Sequence, residues 1–307
     1  MKNQYLVWLA WPEKCFRADA EALRLLESLV PAGSDVESVS TESEFLARLP
    51  EATHAIVWNF RSEWFARAGS LRLLATPAAG RELVPTKGPD GVKIHFGGFH
   101  GAIIAESVAA FVLAWARGFF RPEVRVPVDD WGRRWPRVAM GDKCRRVAGT
   151  RAVIAGYGRI GKAIGAKLEA LGVSVRGFGR SSAAELPSAA READWFVMAL
   201  PGDTGTDGFL GESLIAELPR RAVVVNVGRG NAVDEAALLK ALEDGRIAGA
   251  YLDVFRGEPG PLGGEPGPIL SRTSGLPWNL VTTPHSSAFS GDYLEMCFRE
   301  LGDEGLL

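Results

Sequence analysis

Arg229 stands in a short polar loop, Asn226-Val-Gly-Arg-Gly230, directly behind the apolar β-branched run Val223-Val-Val225. Such a run reads as a strand of a parallel sheet, buried on both faces. The loop therefore sets a guanidinium at the carboxyl end of a core strand, where open α/β sheets bind their ligands. A guanidinium there can take a small anion through two parallel hydrogen bonds. The plainer alternative is a partner acid within the protein. A second feature lies upstream, Gly156-x-Gly158-x-x-Gly161, between a strand-like run and a helical one. In that setting the spacing has a physical logic. Gly156 permits a tight turn, Gly158 lets the backbone approach a pyrophosphate, and Gly161 lets helix pack on strand. The N–H groups that open the helix, aided by its dipole, then hold phosphates. Gly156, Tyr157, Gly158, Arg159, Ile160 and Gly161 are thus candidate dinucleotide contacts, the alternative being a glycine-rich turn with no ligand.

The next strand ends in Gly177-Phe-Gly-Arg-Ser-Ser182. An NAD site usually carries an acid here for the ribose 2′-hydroxyl. Gly179 has no carboxylate to serve that hydroxyl or to repel a 2′-phosphate. Arg180 can pair with such a phosphate, and Ser181 and Ser182 can donate to it. NADP(H) is therefore the expected preference, with NAD(H) possible; an Arg180 that is only a surface arginine is the alternative.

These residues need a scaffold, and the hydrophobic pattern supplies one. Strand-like runs at Tyr5–Ala10, Val36–Val39, His54–Trp58, Leu71–Ala75 and Val92–Phe96 alternate with helical runs at Ala18–Val30, Ser43–Leu49 and Arg61–Ala68. That alternation predicts a parallel sheet covered on both faces. Gly101–Phe119 is apolar nearly all round, which predicts a buried helix, read as the connector between domains and part of a subunit interface. A second α/β unit runs from Arg151. Its strands are expected at Ala152–Ala155, Val173–Phe178, Trp195–Leu200, Ala222–Val227, Ala248–Val254 and Leu280–Thr283, with a helix over Ile160–Leu171. Asp234 is a plausible N-cap for a helix through Glu243 closed by Gly245, with Val233 and Leu238 as a hydrophobic staple. Arg256–Pro268, dense in Gly and Pro, is a loop. Asp292–Leu301 is a last short helix. The segment Arg121–Arg151, with Trp131, Trp135, Arg133, Arg134, Arg137, Arg145 and Arg146, reads as a solvated arm or dimer contact, or else as an anion patch.

The chain has 307 residues, 47% hydrophobic and 23% charged, with a formal net charge of −2. Those totals suit a globular protein of two medium domains. They argue against a general nucleic-acid binder, which is usually basic. Cys15, Cys144 and Cys297 are scattered, with no CxxC, and fit neither a disulfide framework nor a zinc site. No metal is expected. No apolar run reaches the roughly 18 residues of a membrane span, and the first strand is too short for a signal sequence. The expected location is the cytoplasm, with no membrane partner.

Taken together, Gly156–Gly161, Leu200-Pro201 … Thr206-x-Gly208, Asn226–Gly230 with Val233-Asp-Glu235, Asp253-Val-Phe-x-x-Glu258-Pro259 and Thr283-Pro-His285 resemble the D-isomer-specific 2-hydroxyacid dehydrogenases. Arginine to glutamate spans 29 positions, on the family's pattern. The likeness covers residues from about 54 to 290 and is strong from 150 to 290. It implies an α/β protein of two domains with parallel sheets: a flavodoxin-like substrate domain, residues 1–98 plus 285–307, and a Rossmann dinucleotide-binding domain, 99–284. It implies a site in the cleft between them, closed by a hinge, and a homodimer. It implies reduction of a small 2-keto acid to a D-2-hydroxy acid, glyoxylate or hydroxypyruvate being the substrate classes. His285 would give the proton, Glu258 would fix its tautomer, and Arg229 would bind the substrate carboxylate. Glu265 is a rival to Glu258, which is preferred because it follows the strand Ala248–Val254 directly. Leu200, Pro201, Thr206, Asn226, Val227 and Asp253 join the cofactor contacts. Ala79 and Gly80 resemble the substrate loop; Arg61 adds charge there or is a plain surface arginine, Arg81 favours a second anionic group or pairs with Glu82, and His100 is more structural than catalytic. The alternative within the resemblance is a dinucleotide-sensing, corepressor-like binding protein with little turnover. Two departures stand out. Asp203 lies where a threonine is common. The chain also ends soon after His285, so that Asp292–Leu301 alone is expected to return to the first domain.

Overall fold

The computed structural model describes residues 2–125, 128–130, 132–133, 135–259, 263–273 and 275–307. Trp131 and Arg134 of the Trp/Arg-rich segment lie outside them. The chain divides into two compact units, one running through His100 and completed by Phe289–Leu307, the other Gly101–Ala288.

The first unit opens with β1 (Gln4–Trp8), α1 (Ala20–Leu29), β2 (Asp35–Ser38), α2 (Glu42–Arg48), β3 (His54–Val57), β4 (Leu73–Thr76) and β5 (Lys93–Phe96). All pairings are parallel, in the order β2-β1-β3-β4-β5. That is the flavodoxin order. The helices begin where the sequence provides caps. Asp19 accepts from the Glu21 and Ala22 amides, and Thr41 with Glu44 forms a reciprocal capping box at α2. The Arg61–Ala68 run, expected as an α-helix, is a 3-10 helix over Ser62–Arg67. Trp64 anchors it among Trp8, Phe45 and Phe60.

The second unit starts within α3 (His100–Ala116), one residue into the helix, followed by β6 (Arg151–Ala155), α4 (Arg159–Ala170), β7 (Ser174–Phe178), α5 (Leu186–Ala190) and β8 (Trp195–Met198). It continues with α6 (Glu212–Glu217), β9 (Val223–Asn226), α7 (Glu235–Glu243), β10 (Gly249–Leu252) and β11 (Leu280–Thr282). Its parallel strands run β11-β10-β9-β8-β6-β7, so the order reverses between β6 and β8, the switch point of a doubly wound sheet. The strands β8, β9 and β10 are buried throughout, as their unbroken apolar runs require. One core layer lies on each side of this sheet. The α3 helix departs from the expectation of burial all round. Ala102, Glu106, Ala110 and Leu113 form an exposed stripe at helical spacing, with Leu113 41% exposed. Within the Trp/Arg-rich segment, Arg145 turns inward to Asp194 and over the Trp195 ring, and Arg151 pairs with Glu192.

The chain ends in α8 (Tyr293–Asp303), which belongs to the first unit and packs on α1. The crossings fall after His100 and Ala288, slightly later than expected from sequence. At the second, the physical reason is clear: the backbone amides of Ser286 and Ser287 bond the Asp253 carboxylate, and the Ser107 hydroxyl of α3 donates to the Ser287 carbonyl. The 285–288 segment, His285 included, is thereby held in the second unit. Among the described residues no helix is long and apolar enough to cross a membrane.

Candidate active site

The glycine turn behaves as its spacing predicts. Gly156 has φ +91, and a Cβ there would sit 2.5 Å from the Ala199 carbonyl oxygen. A Cβ on Gly161 would lie 2.3 Å from the Gly156 carbonyl, so this glycine lets α4 close on the end of β6. Gly158, the N-cap of α4, faces open space, with no atom within 4 Å of a Cβ position. The turn thus offers the amides of Arg159, Ile160 and Gly161 at a helix start with room for a phosphate, and it fits a dinucleotide. Tyr157 folds back: its ring lies over Gly177, where a Cβ would come within 2.1 Å of it, and against Gly165. Its contribution to a ligand is therefore through backbone.

Beyond β7, Arg180 is 92% exposed at the side chain and pairs with Asp203 at 3.2 Å. Asp203 also caps the 3-10 turn Thr204–Thr206 through Gly205 N–H. Ser181 is exposed. Ser182, expected to donate to a phosphate, instead accepts from Gly179 N–H at 3.0 Å and closes its own turn. Leu200 and Pro201 follow β8 at the carboxyl edge of the sheet. Thr206 donates to the Pro201 and Asp203 carbonyls and so shapes that loop.

Asn226, Val227 and Asp253 are 0%, 4% and 1% exposed. Asn226 accepts from Gly228 N–H and donates to the Arg229 carbonyl; it braces the loop that presents Arg229. The Arg229 stem runs along Gly202, where a Cβ would meet its Cγ at 3.0 Å, and Nη1 donates to the Gly228 carbonyl at 2.9 Å. Gly230 is required by close approach, since a Cβ would fall 1.9 Å from the Phe255 carbonyl carbon.

Glu258 and His285 come together. His285 Nδ1 lies 2.7 Å from Glu258 Oε2, while Oε1 accepts from Phe255 N–H at 2.7 Å. Burial pushes the Glu258 carboxyl up, but the His285 hydrogen bond and charge, the Phe255 amide and the Arg229 charge together hold it below the usual range. A carboxylate can only accept, so Nδ1 is the donor and the ring tautomer is fixed. Glu265 is exposed and contributes its carbonyl, against which Gly257 packs at φ +68. A cavity of about 480 Å³ adjoins the pair, lined by Phe255, Pro259, Leu270 and Thr282 among others.

Two acids prove to shape the site: Glu235, marked in the sequence only as part of a motif, and Asp253, expected there as a cofactor contact. Glu235, 3% exposed, accepts from Arg256 N–H and Ile269 N–H, each at 2.9 Å, and so clasps both ends of the Glu258 loop. Asp253 holds the turn that carries His285. A second acid directly after the Asp234 cap was the available signal for Glu235.

In the first unit, Ala79 and Gly80 lie in the loop after β4, Ala79 exposed and Gly80 half-buried. Arg61 pairs with Glu42 at 3.3 Å and lies over the Trp64 ring, and Arg81 lies over Phe96. His100 is buried and its Nε2 is 2.7 Å from the Tyr293 hydroxyl, a structural placement.

The profile of the family described as D-isomer specific 2-hydroxyacid dehydrogenase, NAD binding domain, matches residues 109–287. A glycerate dehydrogenase of Methylorubrum extorquens is 28% identical over 277 residues, covering 88% of this chain and 86% of its own. A glyoxylate reductase of Korarchaeum cryptofilum is 30% identical over 244 residues, covering 75% and 70%. A crystal structure of a D-isomer specific 2-hydroxyacid dehydrogenase from Xanthobacter autotrophicus Py2, in complex with NADPH and MES, aligns with a TM-score of 0.72 at 25% identity, over 99% of this chain and 96% of that one. Fold and likeness together define an oxidoreductase of the hydroxyacid class. More closely, the chain belongs to the D-isomer specific 2-hydroxyacid dehydrogenases, which depend on NAD(P).

Proposed function

We propose that this protein reduces a small 2-keto acid of the glyoxylate or hydroxypyruvate class to the D-2-hydroxy acid, with NADP(H) preferred and NAD(H) accepted. The observation that carries the reading is the 2.7 Å contact between His285 Nδ1 and Glu258, whose carboxyl also feels the Arg229 charge. With Nδ1 held by the carboxylate, Nε2 is the nitrogen that delivers a proton to the nascent alkoxide. Arg229 grips the substrate carboxylate through its fork of donors and polarises the keto oxygen. The turn Gly156–Gly161 holds the pyrophosphate, and Arg180 with Ser181 meets a 2′-phosphate. Leu200, Pro201, Thr206, Asn226, Val227 and Asp253 shape the floor on which the nicotinamide half rests. A reduced nicotinamide bound there supplies the hydride. Ala79, Gly80 and Arg61 are the substrate-binding residues proposed for the first unit. The NADPH of the Xanthobacter relative and the glyoxylate reductase of Korarchaeum support the cofactor and substrate class. A homodimer belongs to this reading, supported by Leu113 and Phe119, 41% and 68% exposed.

The test is loss of reduced-nicotinamide absorbance with a panel of 2-keto acids. Glyoxylate or hydroxypyruvate should turn over, and His285→Ala should lower kcat by about 100-fold or more while NADPH still binds. Tight NADPH binding with no turnover of any 2-keto acid would refute the reading.

A further inference from the structure

His285 has φ +51, the one positive φ outside glycine among the described residues. An imidazole seldom sits on left-handed backbone unless its surroundings over-determine that conformation. What surrounds it is a chain of hydrogen bonds rooted in the sheet. β10 and β11 are paired in register, Leu252 beside Thr282, so Asp253 and Thr283 leave the sheet side by side. The Thr283 hydroxyl is 2.5 Å from Asp253 Oδ1, and the Tyr251 hydroxyl is 2.9 Å from the Thr283 oxygen. Asp253 can only accept as a carboxylate, so Thr283 donates to it and Tyr251 must donate to Thr283. Burial, with the Asp253 charge adding to it against the Thr283 contact, pushes the Tyr251 hydroxyl up to about 12, so it keeps the proton that this direction needs. The same carboxylate then receives Ser286 N–H at 2.8 Å and Ser287 N–H at 3.0 Å, and the Asp253 carbonyl receives His285 N–H at 2.8 Å. The backbone is thus fixed on both sides of the histidine. Tyr251 itself is locked by stacking on Phe111, ring centroids 4.8 Å apart.

We infer that the one-way chain Tyr251 → Thr283 → Asp253 is the positioning device of the reaction. It selects the backbone conformation from which His285 Nδ1 meets Glu258. Tyr251 and Thr283 are therefore positioning residues: they act on His285 through Asp253, Tyr251 one contact further out than Thr283, which also borders the cavity. The inference rests on the roles proposed above for His285 and Glu258.

Three variants isolate the hydroxyls. Thr283→Val keeps the shape and removes the donor, Thr283→Ser keeps the donor, and Tyr251→Phe removes the first link. Two readouts are taken: kcat with the best 2-keto acid alongside the NADPH dissociation constant, and the downfield NMR signal of the hydrogen-bonded His285 Nδ1 proton, assigned by its loss in His285→Gln. Thr283→Val should lose the signal and lower kcat on the order of ten- to a hundred-fold, as a misplaced acid does, with NADPH affinity little changed. Thr283→Ser should restore both, and Tyr251→Phe should fall between. An unchanged signal and kcat in Thr283→Val would overturn the inference, as would a Thr283→Ser as impaired as the valine variant. If Thr283→Val does not fold, Tyr251→Phe decides by the same signal. If wild-type protein turns over no 2-keto acid, the proposed function fails, while the NMR comparison still decides the positioning role.

Discussion

Arg180 holds Asp203 across 3.2 Å with a side chain 92% exposed. An ion pair this wet has little hold on its partners, so a 2′-phosphate can take the guanidinium over. An arginine–phosphate bond contributes roughly 1.5–3 kcal/mol. Arg180→Ala should therefore lower kcat/KM for NADPH about 10- to 100-fold and leave that for NADH nearly as it was. An unchanged NADPH/NADH ratio would remove Arg180 from cofactor choice. His54 offers a prediction of another kind. It is buried, stacked on Tyr5 at 4.3 Å and bonded to Thr53. Burial, helped by the Arg72 charge, holds it down to about 4. The unfolded chain takes up this proton near pH 6.5, the folded one only near 4. Stability from this group is thus full above about 6.5 and falls as the pH drops toward 4, by a few kcal/mol at most at roughly 1.4 kcal/mol per unit. Urea unfolding at pH 7 and pH 5 should show a smaller difference for His54→Leu than for wild type.

At the scale of elements, Glu235 closes the Glu258 loop at its neck. Removing it leaves the part-buried amide of Arg256 and the buried amide of Ile269 without an acceptor. Each such loss costs about 1–3 kcal/mol. Glu235→Ala should lower the unfolding free energy by roughly 2 kcal/mol or more, and limited proteolysis should now cut within residues 256–269; a variant as stable and as resistant as wild type would refute the clasp. Much at this scale was legible in the sequence. The strand runs, the Asp234 cap and the closing Gly245 at φ +61 stand where the pattern puts them. The helices α5 and α6 were missed because five and six residues are too few to show a helical period, and Gly211 caps α6 without a side chain. Motif spacing brought out Arg229, Glu258 and His285. It could not bring out the left-handed turn at His285 or the inward carboxylates of Asp253 and Glu235, because these depend on which loops meet once the sheet has formed. Nor could it say that Gly177 serves to seat the Tyr157 ring, a contact between two strand ends far apart in sequence.

Across the whole molecule, two cores carry separate duties. Phe298 of α8 is fully buried in the first unit, beside Leu294 and Leu301. Phe298→Ala should cost that unit about 3–5 kcal/mol, seen as lost hydrogen-exchange protection in β1 and β3, with β8 and β9 of the second unit protected as before. Equal loss in both sheets would mean that the units do not unfold separately.

The first unit is built from two segments, Met1–His100 and Phe289–Leu307, between which the second unit lies in sequence. During synthesis, amino end first, β1 to β5 emerge early, yet α8 reaches α1 only after all of Gly101–Ala288 has been made. The dinucleotide-binding core is local and can close as it emerges. The sheet that precedes it must wait on the ribosome with the surface that α8 will cover still wet. Late, long-range closure is slow and exposes apolar surface to aggregation, so the face of the first unit that α8 covers is the surface most open to misassembly during synthesis.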